Sequence, residues 1–278
     1  MKTFDKKTAF ITGGGAGIGA GMAKAFAEKG MNLALVDVNE AGLAETQQLL
    51  TAAGAEVQTY TLDITDRKAV VEAVGQAKAR FGGINIVCAN AGVSGVMDSL
   101  ENIDVTDWDW IVDVNIKGSV YTVQACIPYL LEDPNNAHIV ITSSISGLRV
   151  YEPSRGQGMY NTTKFAMVGF GEALHVDLAP KGVGVSILCP GVVNTDISNS
   201  LRNRPERYGG AVSISANHDL AKAAASGTDP FQFGRWVVKA VEENRLFVIT
   251  HPQDRELVAA RHDGILKAFD DSTSLTSQ

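Results

Sequence analysis

TAFITGGGAGIGAGMAKAFAEKG, residues 8 to 30, joins a short apolar run to a cluster of glycines and then to a segment whose apolar residues recur at spacings of three and four. The run predicts a strand, the glycines a tight turn, and the rest a helix that stops near Gly30. That order opens a βαβ unit. Glycines let a backbone approach a pyrophosphate closely, and the helix N-terminus offers free N–H donors and the positive end of its dipole. Tight turns and close helix–strand packing use glycines too. What points to a dinucleotide site is their placement between the first strand and the first helix.

The alternation continues down the chain. NLALVD (32–37), EVQTYTLD (56–63), INIVCAN (84–90), HIVITSS (138–144), VGVSILCP (183–190) and LFVIT (246–250) are continuous apolar runs, as strands buried on both faces would be, and each gap leaves room for a crossover helix. The expected fold class is α/β, a doubly wound parallel sheet of about seven strands in one domain over 1–278. A polar, glycine-containing insertion at about 194–230 interrupts the pattern and is expected to form a substrate lid. A helix and polar tail at about 252–278 close the chain.

Composition narrows the partners. The chain has 278 residues, 45% of them hydrophobic, and a formal net charge of −7 with no run of lysines or arginines. A sizeable core is possible, whereas nucleic acid and anionic membranes are not expected partners. No apolar stretch approaches the ~20 residues that span a bilayer, and MKTFDKKTAF lacks a signal-peptide core, so a cytoplasmic protein acting on a small molecule is expected. Cys88, Cys126 and Cys189 are odd in number and lack metal-ligand spacing, as do the histidines at 138, 175, 218, 251 and 262; no metal site is expected. Trp108 and Trp110, two apart, cannot share a helix face and read as core or subunit-interface packing.

Two features carry chemistry. Asp37 ends the second strand, where a carboxylate would bond the adenosine ribose hydroxyls and repel a 2′-phosphate, although it could also cap the helix that begins near Asn39. Tyr160 and Lys164 stand four apart and so share one helix face, which brings an ammonium beside a phenol and favours its ionised form.

Gly13, Gly15, Gly17, Ile18 and Gly19, with Asp37 and Tyr160-x-x-x-Lys164, resemble the short-chain dehydrogenase/reductase family, and the resemblance covers nearly the whole chain. It implies a Rossmann-like fold, an NAD cofactor and a Ser-Tyr-Lys-Asn proton relay. By that resemblance Asp63 and Ile64 border the adenine, and Asn90-Ala91-Gly92 borders the cofactor. Pro190, Gly191, Val193 and Thr195 would hold the nicotinamide carboxamide. Tyr160 and Lys164 also contact the cofactor, and Asn115, Ser144, Tyr160 and Lys164 form the catalytic set. Taken singly, Asn115 reads equally as a surface polar residue, Ser144 as a helix cap and Pro190-Gly191 as a turn. Ser144 and Tyr160 are sixteen residues apart, more than is common in the family, which leaves Ser143 and Ser146 as alternative partners.

The resemblance implies hydride transfer between NAD(H) and a secondary alcohol or ketone. Val150, Tyr151 and Met159 on one side and Leu201, Tyr208, Val212 and Ile214 on the other suggest a bulky, apolar or aromatic substrate. Some family members oxidise aryl secondary alcohols, and the lid is similar to theirs. Steroid or cyclic alcohols are the near alternative, and a non-redox lyase or a regulatory nucleotide-binding protein the distant ones. Arg149, Arg155, Arg202, Arg204 and Arg207 either solvate their loops or meet a substrate carboxylate. A homotetramer or homodimer, in contact through helices near 107–131 and 160–179, is also implied.

Overall fold

A computed structural model describes residues 3–150, 156–212 and 226–276. Tyr151, Arg155 and Ile214 lie outside these residues. All seven expected strands form: β1 (Thr8–Thr12), β2 (Asn32–Asp37), β3 (Val57–Thr61), β4 (Ile86–Ala89), β5 (His138–Thr142), β6 (Gly184–Cys189) and β7 (Phe247–Ile249). Between and after them run α1 (Gly17–Ala27), α2 (Glu40–Ala52), α3 (Arg67–Phe81), α4 (Val105–Val112), α5 (Ser119–Leu130), α6 (Gly158–Leu178), α7 (Pro230–Glu243) and α8 (Arg255–Thr276). A π-helical turn, Asp113–Gly118, joins α4 to α5.

The sheet is parallel with order β3-β2-β1-β4-β5-β6-β7. The order reverses direction between β1 and β4, and a crevice opens outside the strand C-termini at such a switch point. Five of the seven strands lie inside the sheet. β3 and β7 are its edges, and their residues are half-buried or exposed except for Val248. The reading of every apolar run as doubly buried is therefore corrected at these two, because the run records apolar character but not lateral position.

One apolar layer packs α1 and α7 onto the sheet through Met22, Phe26, Phe233 and Val237. The other sets α3, α5 and α6 on the opposite face through Val74, Cys126 and Met167. The α1–α7 contact is close enough that a Cβ on Gly21 would fall 2.3 Å from the Pro230 carbonyl oxygen. All three cysteines are buried and free. Gly30, the helix stop expected there, and Gly54 take positive φ just beyond the ends of α1 and α2. No helix among the described residues is long and apolar enough to cross a membrane.

Candidate active site

A cavity of about 590 Å³ lies along the C-terminal ends of the central strands, lined from the glycine turn and Asp37 at one end to Tyr160 and Lys164 at the other. One end is built by glycines whose added Cβ would meet close neighbours. Gly13 has φ +68°, and a Cβ there would sit 2.8 Å from Asn90 Nδ2. A Cβ on Gly19 would fall 1.9 Å from the Gly13 carbonyl oxygen, and one on Gly17 would reach Thr195 Cγ2 at 2.9 Å. Ala16 precedes α1 without a side-chain cap, so the first-turn N–H groups have no side-chain acceptor. This cradle fits a pyrophosphate: close backbone approach and free donors at one point.

Asp37 Oδ2 accepts the Gly15 N–H at 3.0 Å and Oδ1 accepts the Asn39 N–H at 3.0 Å. It does not cap α2; Asn39 does, accepting from Gly42 N–H at 3.2 Å. The carboxylate is thus fixed at the end of β2 and faces the cavity. Asp63 accepts from Thr65 N–H at 2.9 Å, and Ile64 packs against Gly118 while lining the same wall. Asn90 ties three strands together, donating to the Thr12 carbonyl at 3.0 Å and accepting from Thr142 Oγ1 at 3.1 Å. Ala91, Gly92, Pro190, Gly191, Val193 and Thr195 complete that end of the lining.

At the other end the structure brings together Ser144, Tyr160 and Lys164 on the cavity wall, with Asn115 behind them. Asn115 is no surface residue. It is 1% exposed, accepts the Val93 N–H at 2.8 Å and donates to the Val93 carbonyl and to Thr163 Oγ1, each at 3.0 Å. It sits in the π-turn, a distortion frequent at functional sites. Gly92 lies between Asn115 and Lys164; a Cβ there would be 3.2 Å from Asn115 Oδ1 and 3.5 Å from Lys164 Nζ.

Of the three candidate serines, Ser143 spends its hydroxyl on the Lys164 carbonyl at 2.8 Å, which turns it toward α6. Ser144 Oγ accepts the Ser146 N–H at 3.1 Å and donates to the Pro190 carbonyl at 3.4 Å. It caps the turn 145–147 and lines the cavity as well, so cap and site are one position.

Lys164 Nζ donates to the Thr142 carbonyl at 3.1 Å and lies 5.5 Å from the centre of the Tyr160 ring. Burial lowers the Lys164 ammonium from 10.5 to about 8, a shift only slightly opposed by the neighbouring Cys189, whose thiol is itself pushed up to about 12 by desolvation. A buried lysine with a depressed pKa costs stability wherever it stays protonated, so the penalty is full below pH 8 and vanishes above about 10.5. Lys164→Met is therefore expected to raise the melting temperature of the apo protein at pH 7. The gain is on the order of 2 kcal/mol after subtracting the lost Thr142 hydrogen bond. Melting curves at pH 7 and 10.5 check this: the gain must shrink at the higher pH.

The walls differ from those read in the sequence. Met159, Leu201 and Tyr208 turn into a buried cluster with Val93, Trp110 and Ile111, while Val150 and Val212 are exposed. The cavity is instead lined by Val93, Met97, Trp110, Val114, Ile145 and Gln157. Trp110, read as core or subunit-interface packing, anchors that buried cluster and also faces the cavity. Of the four described arginines, Arg149 and Arg204 are largely buried, whereas Arg207 stays exposed to solvent. Arg149 is 8% exposed and pairs with Asp254, Arg204 pairs with Asp107, and Arg207 pairs with Asp63 at 3.0 Å and reaches Thr65 Oγ1 at 2.7 Å. Arg202 alone of the four lines the cavity, held to Asp196 at 2.8 Å. The Arg204 and Arg207 pairs brace the insertion against the body. The described stretch 194–212 packs as two short 3-10 turns, Ile197–Asn203 and Glu206–Tyr208, and the Ser94 N–H donates to Ser200 Oγ at 3.0 Å.

His251, set aside in the sequence among the histidines without metal-ligand spacing, has a structural place. Its Nδ1 accepts the Gly191 N–H at 3.0 Å and its ring stacks on Phe233, so it backs the Pro190–Thr195 wall. Among the described residues no cluster of three or more histidine, cysteine or acidic side chains could hold a metal.

The sequence model described as short chain dehydrogenase matches residues 7–206. The chain is 33% identical over 271 residues to the CLA biosynthesis dehydrogenase/reductase of Lactiplantibacillus plantarum, covering 94% of this chain and 93% of that protein. It is 29% identical over 259 residues to the C alpha-dehydrogenase of Sphingobium sp. strain SYK-6, covering 92% and 84%. Among solved structures, a short chain dehydrogenase/reductase from Burkholderia phymatum in complex with NAD superposes with a TM-score of 0.89 at 36% identity, covering 96% of this chain and 97% of that one.

Proposed function

The chain belongs to the short-chain dehydrogenase family, and from that premise we propose that it transfers a hydride between NAD(H) and a bulky, largely apolar or aromatic secondary alcohol or its ketone. One observation carries this reading: a single cavity runs from a glycine cradle and Asp37 to Ser144, Tyr160 and Lys164. A dinucleotide-sensing protein needs only the first end and a lyase only the second. NAD is the cofactor, as in the Burkholderia phymatum relative; Gly13, Gly17, Gly19 and the first turn of α1 hold its pyrophosphate, Asp37 its adenosine ribose, and the segment Pro190–Thr195 its carboxamide.

Bound NAD⁺ supplies the hydride acceptor. Tyr160 takes the proton of the substrate hydroxyl, a task beyond a phenol with its ordinary pKa of ~10 unless a cation favours the phenolate. Lys164 provides that cation four residues on. The Ser144 hydroxyl donates to the substrate oxygen and stabilises the charge that develops there. Asn115 ties the loop at Val93 to α6, and its segment leads the relay from Lys164 toward solvent. In the reducing direction the same groups give back what they took.

Val93, Met97, Trp110 and Val114 support a substrate with an apolar or aromatic body. Steady-state rates with NAD⁺, followed by absorbance of the reduced nicotinamide, test this. Kcat/KM for an aryl secondary alcohol is expected to exceed that for short aliphatic alcohols, sugars and small hydroxy acids. A preference for sugars or hydroxy acids overturns the substrate class, and no NAD-linked turnover of any alcohol or ketone overturns the activity.

A further inference from the structure

We propose that Arg202 is a cofactor-binding residue: from the insertion its guanidinium meets the pyrophosphate of NAD and adds a cation to a cradle otherwise made of backbone N–H groups. The inference rests on the NAD reading above.

The pyrophosphate brings two ionised phosphates into a cavity whose described walls carry three carboxylates, Asp37, Asp63 and Asp196, against two basic side chains, Lys164 and Arg202. Such walls call for an offsetting cation. Lys164 is committed elsewhere, since its ammonium lies beside the Tyr160 ring and donates to the Thr142 carbonyl. Arg202 is left.

Its place along the wall follows from contacts within the chain. Thr195 abuts the glycine turn, because a Cβ on Gly17 would fall 2.9 Å from Thr195 Cγ2. The next residue, Asp196, takes Arg202 Nη1 at 2.8 Å on its carboxylate and at 3.1 Å on its main-chain carbonyl, and the Asn199 carbonyl accepts from the same nitrogen at 2.8 Å. The guanidinium is thus moored to the residue that follows Thr195. The turn carrying it, Ile197–Asn203, is fixed on the body: the Ser94 N–H donates to Ser200 Oγ at 3.0 Å, and just past the turn Arg204 pairs with Asp107.

A guanidinium presents five N–H donors in a planar fork, and all of these bonds use one nitrogen. Nε and Nη2 have no partner among the described residues. That edge is the one with which Arg149 grips Asp254, and arginine bonds phosphate oxygens in the same forked manner. Asp196 is a weak competitor for it, because its side chain is 59% exposed and ion pairs open to water contribute little. Its bonds to Nη1 orient the guanidinium and leave the other edge to the cofactor.

The test titrates ADP-ribose and adenosine by calorimetry into wild type, Arg202→Gln and Arg202→Lys, with melting curves of all three. ADP-ribose carries the pyrophosphate and adenosine lacks it. In Arg202→Gln the Kd of ADP-ribose is expected to rise at least about tenfold, because charge-assisted bonds to phosphate are lost. The Kd of adenosine is expected to stay within about twofold and the melting temperature to hold. Arg202→Lys keeps the charge without the fork and is expected to fall between wild type and Arg202→Gln. A role confined to bracing the insertion would weaken both ligands alike and lower the melting temperature; that result overturns the inference and leaves the NAD reading intact. An unchanged Kd for ADP-ribose overturns it too, and assigns Arg202 to the substrate if turnover of a carboxylate-bearing alcohol falls instead. Failure of the wild type to bind ADP-ribose overturns the cofactor reading and the inference together.

Discussion

Tyr160→Phe is expected to lower kcat at least about a hundredfold while leaving the fold and NAD binding in place. General acid–base groups contribute roughly 10²- to 10⁴-fold, and the substitution removes only the oxygen that moves the proton. The neighbourhood explains why nothing else can take over. Lys164 Nζ is buried, bonded to the Thr142 carbonyl at 3.1 Å, and lies 5.5 Å from the Tyr160 ring centre. Its charge can tune the phenol but is not positioned as a second base. Ser144 Oγ is held between Ser146 N–H and the Pro190 carbonyl and has no base of its own. The ring of Tyr160 packs beside the Trp110 cluster, and phenylalanine fills the same volume there. Steady-state kinetics, a melting curve and an NAD titration check the three parts separately; a loss under tenfold would sink the assignment of Tyr160 as the acid–base group.

The second large effect is cofactor choice. Wild type is expected to favour NAD⁺ over NADP⁺ by at least about a hundredfold in kcat/KM. Two unit charges ~4 Å apart at a partly solvated protein site interact by about 4 kcal/mol, and screening still leaves on the order of the 2.7 kcal/mol that a hundredfold preference requires. Asp37 cannot swing aside to avoid a 2′-phosphate, because both of its oxygens are held, by Gly15 and Asn39 N–H groups at 3.0 Å. No lysine or arginine occupies 13–19 or 38–40 to offset it, and Arg207, across the adenine end, is already held by Asp63 and Thr65. Asp37→Asn retains an acceptor for Gly15 and removes only the charge, so it is expected to narrow the preference at least tenfold with the glycine turn intact. Asp37→Ala is expected to narrow it as well, but with a poorer KM for NAD⁺, since the turn loses its anchor. Equal kcat/KM for both cofactors in the wild type would refute the electrostatic account.

The amino-acid sequence by itself determined the seven strands, the glycine cradle, the carboxylate at the end of β2 and the phenol–ammonium pair on α6. Each of these is a short-range pattern: an apolar run, a turn that only glycine can make, a side chain at a strand end, two residues one helical turn apart. Chain periodicity does not encode neighbours that are far away in sequence, and these were decided by tertiary structure. It made β3 and β7 edges, because lateral order in a sheet comes from crossovers rather than from the strands. It turned Met159, Leu201 and Tyr208 into a buried cluster and gave their expected place on the wall to Met97, Trp110 and Gln157. It paired Arg204 with Asp107 and Arg149 with Asp254, partners roughly a hundred residues away, and so converted loop arginines into braces. It also set His251 behind Gly191, sixty residues upstream. Irregular segments have no repeating period to aim their side chains, so what faces the substrate was fixed only when the insertion, α4 and the head of α6 closed on one another.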